Sequence, residues 1–303
     1  MTLEQIPDLE ISYDINLAKY TAARLGGVAD LVAIAHTTQA LLQAAYWAHQ
    51  HKIAWYIVGG GSNILVADRG IRGLVILNKS RQVHIDAETG QVTADSGVGL
   101  ATLARRCMAN GLKGMEWCVS VPGTLGGAVV NNAGAHGSDM ASHLVSAQIV
   151  DFTYSSTPTT WPCEAMQYAY RYSALKGQHQ RYIVLSATLQ LEAGHVPEEL
   201  NKIANEFITH RKRTQPPGAS LGSMFKNPEG DYAGRLIEAA GLKGYRIGGV
   251  EVSRVHANFF VNVDNATAED YAQLIAHVQK TVYEKFGVHL ELEIELIGEY
   301  SPT

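Results

Sequence analysis

Two glycine-rich stretches, far apart in sequence, constrain this chain more than any other pattern. The first, Gly59-Gly60-Gly61-Ser62-Asn63, follows an apolar run over residues 53–58. The second is Val121-Pro122-Gly123-Thr124-Leu125-Gly126-Gly127-Ala128, continuing through Asn131-Asn132-Ala133-Gly134-Ala135-His136-Gly137. A residue without a Cβ lets the backbone turn through positive φ and approach a ligand closely. Successive amides in such a turn form an anion-binding concavity. Either stretch alone also reads as an ordinary tight turn between strands. Two of them, with Ser, Thr and Asn beside the glycines, point to one large phosphate-bearing ligand held from two sides. The first stretch is not a dinucleotide fingerprint, because Gly-x-Gly-x-x-Gly fails at Ile64. It also lacks the Gly-Lys-Ser/Thr ending of a P-loop.

A chain of 303 residues with 46% hydrophobic and 17% charged content has room for two or three folded domains. Its net charge of −5 excludes the basic field of a dedicated nucleic-acid binder. The basic run His210-Arg211-Lys212-Arg213 suits a small phosphate or carboxylate ligand. Cys107, Cys118 and Cys163 show no Cys-x-x-Cys spacing, which predicts a reducing, cytoplasmic setting without disulfides. No His-Glu-x-x-His pattern calls for a metal. Residues 1–10 carry acids and no apolar core, and no apolar run is long enough to span a bilayer, so neither a leader nor a membrane segment is expected.

Short strands and helices alternate through the first part. Strands are expected at residues 31–35, 52–58, 64–67 and 74–77. A helix capped by Thr37 or Thr38 runs to about Gln50, with Leu41, Leu42, Ala45 and Tyr46 on one face. From about residue 80 the pattern turns to hairpins: residues 83–86 and 91–94 alternate around Glu88-Thr89-Gly90, and residues 146–154 and 182–191 read as long antiparallel strands. Between these lies a helix over residues 100–110, ended by Gly111. Pro197 opens a helix with Leu200, Ile203, Ala204, Phe207 and Ile208 as its apolar stripe. Gln215-Pro216-Pro217-Gly218 then marks a domain boundary. Beyond it come a short helix over residues 234–240, a strand over 256–263 and a helix over 267–286 with Thr267 capping and Gly287 past its end. A final strand over 288–297 places Glu291, Glu293 and Glu295 on one face.

Three groups of residues could carry chemistry. In Gly222-Ser223-Met224-Phe225-Lys226-Asn227-Pro228 a hydroxyl stands beside a cation and an amide, yet Gly-x-Ser-x-Gly is absent, so a hydrolase elbow is not supported. Taken alone, Ser223 also reads as a turn hydroxyl bonded to its own backbone. In Tyr170-Arg171-Tyr172-Ser173 a planar guanidinium could grip a carboxylate, or simply stack on tyrosine at the surface. The three glutamates of the last strand cannot be told apart on residue type, and each also fits a solvated strand face.

In order along the chain, these motifs, with Ala239-Ala240-Gly241-Leu242-Lys243-Gly244 and His256-Ala257-Asn258-Phe259, resemble the UDP-N-acetylenolpyruvoylglucosamine reductase family over nearly the whole chain. The resemblance implies an α+β architecture: a two-part FAD-binding fold of the vanillyl-alcohol-oxidase type and a C-terminal α+β substrate-binding domain. It places FAD-binding subdomains at residues 1–78 and 79–212 and the substrate domain at 213–303. It implies noncovalent FAD, NADPH as hydride donor, and reduction of the enolpyruvyl ether of UDP-N-acetylglucosamine to UDP-N-acetylmuramate in peptidoglycan precursor synthesis. By the same resemblance Arg171, Ser223 and Glu293 are catalytic, with Ser223 as proton donor. Gly59, Gly60, Gly61, Ser62, Asn63, Pro122, Gly123, Thr124 and Gly127 line FAD, and Tyr170, Arg213, Lys226 and Asn227 bind substrate. The motif favours Glu293 over Glu291, because a glutamate before an apolar β-branched residue fits it better. The short segment between Ser173 and Tyr182 resembles the class that lacks an inserted tyrosine loop. The expected partner is a small UDP-sugar, with no nucleic acid and no membrane, acting in the cytoplasm on a monomer.

Two rivals share the glycine evidence. An oxidase on the same scaffold could hold flavin covalently, with His136 as the residue to consider, and a nucleotide-binding module could bind without catalysis.

Overall fold

The computed structural model describes residues 2–300. Met1 and residues 301–303, the outer ends of the first and third expected domains, lie outside the described residues. The chain forms two compact units, each assembled from separated stretches. Unit one takes Met1–Tyr13, Leu31–Gly60 and Gly73–His210; unit two takes Asp14–Asp30, Gly61–Arg72 and Arg211–Thr303. The chain therefore crosses from one to the other inside the first glycine stretch, and again inside the basic run at 210–213. Among the described residues no helix is long and apolar enough to cross a membrane.

Unit one has two cores. The first surrounds helix α1 (Thr38–Gln50), whose start is set by Thr37: its Oγ1 accepts the Ala40 amide at 3.1 Å. Such a cap contributes roughly 1 kcal/mol. The buried face of α1 is Ala40, Leu41, Ala44, Ala45 and Ala48. Tyr46, expected on that face, is exposed because it lies about 100° round the helix from Ala45. The face packs with Trp55, Leu74 and Ile76. Trp55–Val58 and Ile71–Asn78 pair in parallel, Trp55 opposite Leu74 and Val58 opposite Leu77.

The second core lies on a five-stranded antiparallel sheet in the order Thr159–Pro162, Leu144–Asp151, Tyr182–Gln190, Gln91–Asp95, Val83–Ile85. The expected hairpin and the two long strands are thus neighbours in one sheet. Helices α2 (Leu100–Ala109), α3 (Leu125–Asn131) and α4 (Pro197–Thr214) contribute Leu103, Cys107, Leu125, Val129, Leu200 and Ala204 to this core. Ile203, expected in the α4 stripe, is exposed; Phe207 and Ile208 pack against the core's edge. Helix α3 lies where the sequence showed only glycine-rich turns.

Unit two carries a four-stranded antiparallel sheet in the order Ala219–Ser223, Phe259–Asn262, Val250–Val252, Arg246–Ile247. Against it pack helices α5 (Ala233–Ala239) and α6 (Ala268–Phe286), burying Phe225, Phe260, Tyr271, Leu274 and Val278. Helix α6 starts on a reciprocal capping box between Thr267 and Asp270 and ends on Gly287 at φ 69. Its first amides, Ala268 and Glu269, donate to the two carboxylate oxygens of Asp68 at 2.8 and 2.9 Å, where a negative charge meets the positive end of the helix dipole. Residues 61–72 belong to this unit for that reason, and because Ile64–Val66 pairs in parallel with Glu295–Ile297.

That last strand corrects the sequence reading. Instead of a strand over 288–297, only Glu295–Ile297 is regular; before it there is a single bridge, Leu292 opposite Phe225. The polar groups of 288–294 bond to a loop and to a side chain. Lys226 N donates to Glu291 O, Glu293 N to Met224 O, and Gln279 Nε2 to Leu290 O.

Candidate active site

Within unit one the two glycine stretches meet. A Cβ on Gly59 would fall 2.3 Å from Thr124 Oγ1, and one on Gly60 would fall 2.7 Å from Gly123 Cα. Gly59 is thus required first by the Thr124 side chain, and Gly60 by the Gly123 backbone. Gly127 is different. It is exposed, in the first turn of α3, and a Cβ there would meet only Thr124 Oγ1 at 3.8 Å. Glycine inside a helix costs about 0.5–1 kcal/mol relative to alanine, and packing does not ask for it here. Its bare backbone is an open cradle of the kind a cofactor needs for close approach. The first two amides of α3 are occupied: Leu125 N donates to Val98 O and Gly126 N to Ser96 O, both at 2.8 Å. Just upstream, Trp117 Nε1 and Ser120 Oγ are buried with no partner among the described residues. An open glycine backbone, with orphaned polar atoms a few residues upstream in the same stretch of chain, fits the expected FAD.

The other end of α3 holds the arginine motif. Ala169 and Tyr172 exchange backbone hydrogen bonds of 3.2 and 3.1 Å, closing a turn with Tyr170 and Arg171 at its tip. Arg171 adopts φ 54, a left-handed conformation that a non-glycine residue seldom takes. Its Nη2 donates to Gly134 O at 2.8 Å and its guanidinium lies over the Tyr170 ring, 5.3 Å from the centroid. Residues on both sides tie the turn to the end of α3. The Tyr168 hydroxyl donates to Val129 O at 2.9 Å and the Ser173 hydroxyl to Val130 O at 2.5 Å. Burial pushes the Tyr168 phenol well above its ordinary pKa, so it remains a donor. His136, also left-handed at φ 54, stacks on Phe207 with ring centroids 4.2 Å apart.

Unit two gathers the remaining candidates. Ser223 ends the bulged strand Ala219–Ser223 opposite Phe259 and is half-buried. Glu293 is half-buried too, and its amide donates to Met224 O, one residue beyond Ser223, at 2.9 Å. Asn63 joins them, donating Nδ2 to Glu293 O at 3.3 Å while its own carbonyl accepts from Glu295 N at 2.9 Å. Lys226 Nζ pairs with Glu291 Oε2 at 3.2 Å, and the Glu291 side chain is 76% exposed. Glu291 and Glu293, inseparable by residue type, thus have different surroundings. Asn227 Oδ1 accepts the Ala233 amide at 3.1 Å at the start of α5, leaving its amide hydrogens as the donors an anion would take. In the basic run, Arg213 is exposed; Arg211 is half-buried, and burial lowers its pKa.

Arg171, Tyr170, Gly59, Gly60, Pro122, Gly123, Thr124 and Gly127 belong to unit one; Gly61, Ser62, Asn63, Arg213, Ser223, Lys226, Asn227 and Glu293 belong to unit two. Two asparagines escaped the sequence reading as site-building residues. Buried Asn258 accepts Phe225 N on Oδ1 at 3.0 Å and donates Nδ2 to Phe225 O at 2.8 Å, clamping the segment after Ser223. Buried Asn132 does similar work beside Arg171. Both lie in motifs that were visible, but nothing in the sequence separates a clamp from a turn residue.

A family model described as an FAD binding domain matches residues 29–153. Another, described as the C-terminal domain of UDP-N-acetylenolpyruvoylglucosamine reductase, matches residues 214–297. The UDP-N-acetylenolpyruvoylglucosamine reductase of Synechococcus sp. strain WH7803 is 42% identical over 95% of this chain and 93% of its own. The enzyme of that name from strain RCC307 is 43% identical over 97% and 96%. The crystal structure of the Thermus caldophilus reductase superposes with a TM-score of 0.79 at 32% identity, covering 95% of this chain and 98% of that one. A 6-hydroxy-D-nicotine oxidase from Arthrobacter nicotinovorans, at 17% identity and a TM-score of 0.50 over 64% of this chain and 44% of its own, shares the fold alone. The FAD-binding domain, the matched C-terminal domain and the near full-length identity lead to one conclusion: the chain belongs to the UDP-N-acetylenolpyruvoylglucosamine reductase family.

Proposed function

We infer that this protein is an NADPH-dependent flavoenzyme that reduces UDP-N-acetylglucosamine enolpyruvate to UDP-N-acetylmuramate, with Arg171, Ser223 and Glu293 as its reacting side chains. FAD bound there would supply the hydride-transfer chemistry that links NADPH to the terminal vinyl carbon of the substrate. Negative charge then develops at the carbon bearing the carboxylate. In this reading Arg171 grips that carboxylate through its planar fork, and Glu293 supports the enolate-like state as an acid. Ser223 donates its hydroxyl proton to the carbanionic carbon and is restored by a proton from solvent. A hydroxyl is a weak acid, but its acceptor here is a strong base. Lys226, Asn227 and Arg213 are assigned to the UDP pyrophosphate and Tyr170 to the sugar side, while Gly59–Asn63, Pro122, Gly123, Thr124 and Gly127 hold FAD.

One observation carries the assignment of side chains. Glu293 is bonded through its amide to the residue after Ser223, and through its carbonyl to Asn63 of the glycine stretch. The backbone of Glu293 thus ties the acid both to the segment after the proton donor and to Asn63, all within unit two. The reading keeps a functional division into two FAD subdomains and a substrate domain near residues 79 and 213; a core drawn from residues 92–204 and another drawn mainly from 221–294 support the second boundary. Buried free thiols at Cys107 and Cys118 suit a reducing cytoplasm, and the reading takes a monomer as the working species.

The visible spectrum of the purified protein tests the reading. A flavin band that bleaches with NADPH, and returns only on adding the enolpyruvyl substrate, supports it. A protein that takes up no flavin on reconstitution overturns it.

A further inference from the structure

The residue that holds the arginine turn in place is Asn132. It terminates α3 at φ 44 and ψ 58 and is 3% exposed. Its Nδ2 donates to Ala169 O at 3.0 Å, on the base of the turn that presents Arg171. Its Oδ1 accepts the Ala141 amide at 3.0 Å, and Nδ2 also lies 3.5 Å from Asp139 Oδ2. The turn is further tied to α3 at Val129 O and Val130 O, by Tyr168 and Ser173. The last carbonyls of a helix have no partner within it, so here side chains flanking Arg171 complete the end of α3. The opposite end of α3 begins at Thr124 in the second glycine stretch. Seven helical residues thus form a short strut with glycines at one end and the arginine turn at the other.

We propose that Asn132 is a positioning residue for Arg171, setting where the guanidinium meets the substrate carboxylate relative to the glycine end of α3. The residue type follows from three demands. The left-handed backbone favours glycine or asparagine. The Ala141 amide needs an acceptor and Ala169 O needs a donor. Glycine satisfies only the first demand. Aspartate satisfies the second and sets a negative charge against Ala169 O and Asp139. Only asparagine answers all three.

The proposal rests on Arg171 acting on the substrate carboxylate. The test uses FAD-loaded enzyme and separates the two half-reactions by stopped flow. Asn132→Gly keeps the backbone conformation and deletes the amide. It is expected to slow reoxidation of reduced flavin by the enolpyruvyl substrate at least tenfold, with NADPH reduction of flavin within twofold of wild type. Trypsin is expected to cut after Arg171 several times faster in the variant, because the turn has lost its tie. In an Arg171→Ala background, adding Asn132→Gly is expected to lower reoxidation no further. Additive losses, equal losses in both half-reactions, or wild-type reoxidation with Arg171→Ala impaired would each overturn the positioning role alone. Wild-type reoxidation by Arg171→Ala would overturn the reading of Arg171 and the proposal with it. If Asn132→Gly does not fold, Asn132→Asp, which keeps the acceptor for Ala141, is expected to show the same selective loss.

Discussion

Asn63, the last residue of the first glycine stretch, donates its side-chain amide to the main-chain oxygen of Glu293 at 3.3 Å. Glu293 in turn donates its amide to Met224 O at 2.9 Å. Residues separated by most of the chain are thereby held in one line of hydrogen bonds that passes beside Ser223. Parallel pairing of Glu295–Ile297 with Ile64–Val66 continues the line on the other side. A shift of the last strand would therefore move the carboxylate, the serine segment and the glycine stretch together.

The first prediction separates the two glutamates. Glu291 is exposed and paired with Lys226, whereas Glu293 is half-buried beside the serine segment. Glu293→Gln is expected to lower substrate turnover by about 10²-fold or more, the range for losing an acid or base at the reacting centre. Flavin reduction by NADPH should stay near wild type. Glu291→Gln should leave kcat within about twofold, since exposed ion pairs contribute little. Wild-type turnover by Glu293→Gln sinks the assignment.

Ser223→Ala removes a hydroxyl and little else from a half-buried strand end. Reoxidation of flavin by substrate is expected to fall by about 10²- to 10⁴-fold, while NADPH still bleaches the flavin. Equal loss in both half-reactions would mean that the substitution disturbed the site as a whole and that the hydroxyl has no proton-donor role.

The glycines make opposite predictions. Gly60→Ala would push a Cβ to 2.7 Å from the Gly123 backbone, so both stability and flavin content should drop. Gly127→Ala adds a Cβ on a helix that meets only Thr124 Oγ1, at an ordinary contact distance of 3.8 Å. The flavin-free protein should gain about 0.5–1 kcal/mol of stability, while FAD affinity falls by roughly tenfold, about 1.4 kcal/mol. Thermal melts of flavin-free protein and a flavin titration measure the two effects. A variant that is more stable and binds FAD like wild type would remove Gly127 from the cofactor site.

Acid should weaken the fold through two histidines. Burial, then the charge of Lys243, holds the His256 pKa below its ordinary value, and its Nδ1 accepts the Asn258 amide at 3.2 Å. Burial lowers His143 likewise. Both are neutral in the fold, so below about pH 6.5 the unfolded chain takes up the extra protons. Their contribution is full above that pH and is lost as pH falls toward the depressed folded values. The melting temperature should fall between pH 7 and 5, and His256→Gln should make that fall shallower. An unchanged slope in His256→Gln would show that His256 does not titrate with unfolding.

Local chemistry made much of the fold legible. Thr37 ahead of α1, Thr267 ahead of α6 with Asp270 in its first turn, and Gly287 after it mark helix ends by groups within four residues of the ends they serve. The alternating strands of unit one's antiparallel sheet are visible for the same reason: a period of two needs only near neighbours. Family membership was legible because separated motifs in a set order carry far more information than any one of them. Tyr46 and Ile203 were misread because a helix face is set by what packs on it, and the last strand was too long because Leu290-Glu291-Leu292 alternates without a ladder partner beyond Phe225.

The sequence by itself determined the helix caps and the strand alternation, since each depends on residue type and short spacing, and its ordered motifs carried the resemblance from which the cofactor class followed. Tertiary structure alone decided that Gly59 and Gly60 face Gly123 and Thr124, that Glu291 is occupied by Lys226, that Asn63 reaches Glu293, and that Asn132 braces the Arg171 turn. Those relations join residues tens to hundreds of positions apart. Only the closed chain brings their donors and acceptors within hydrogen-bond reach.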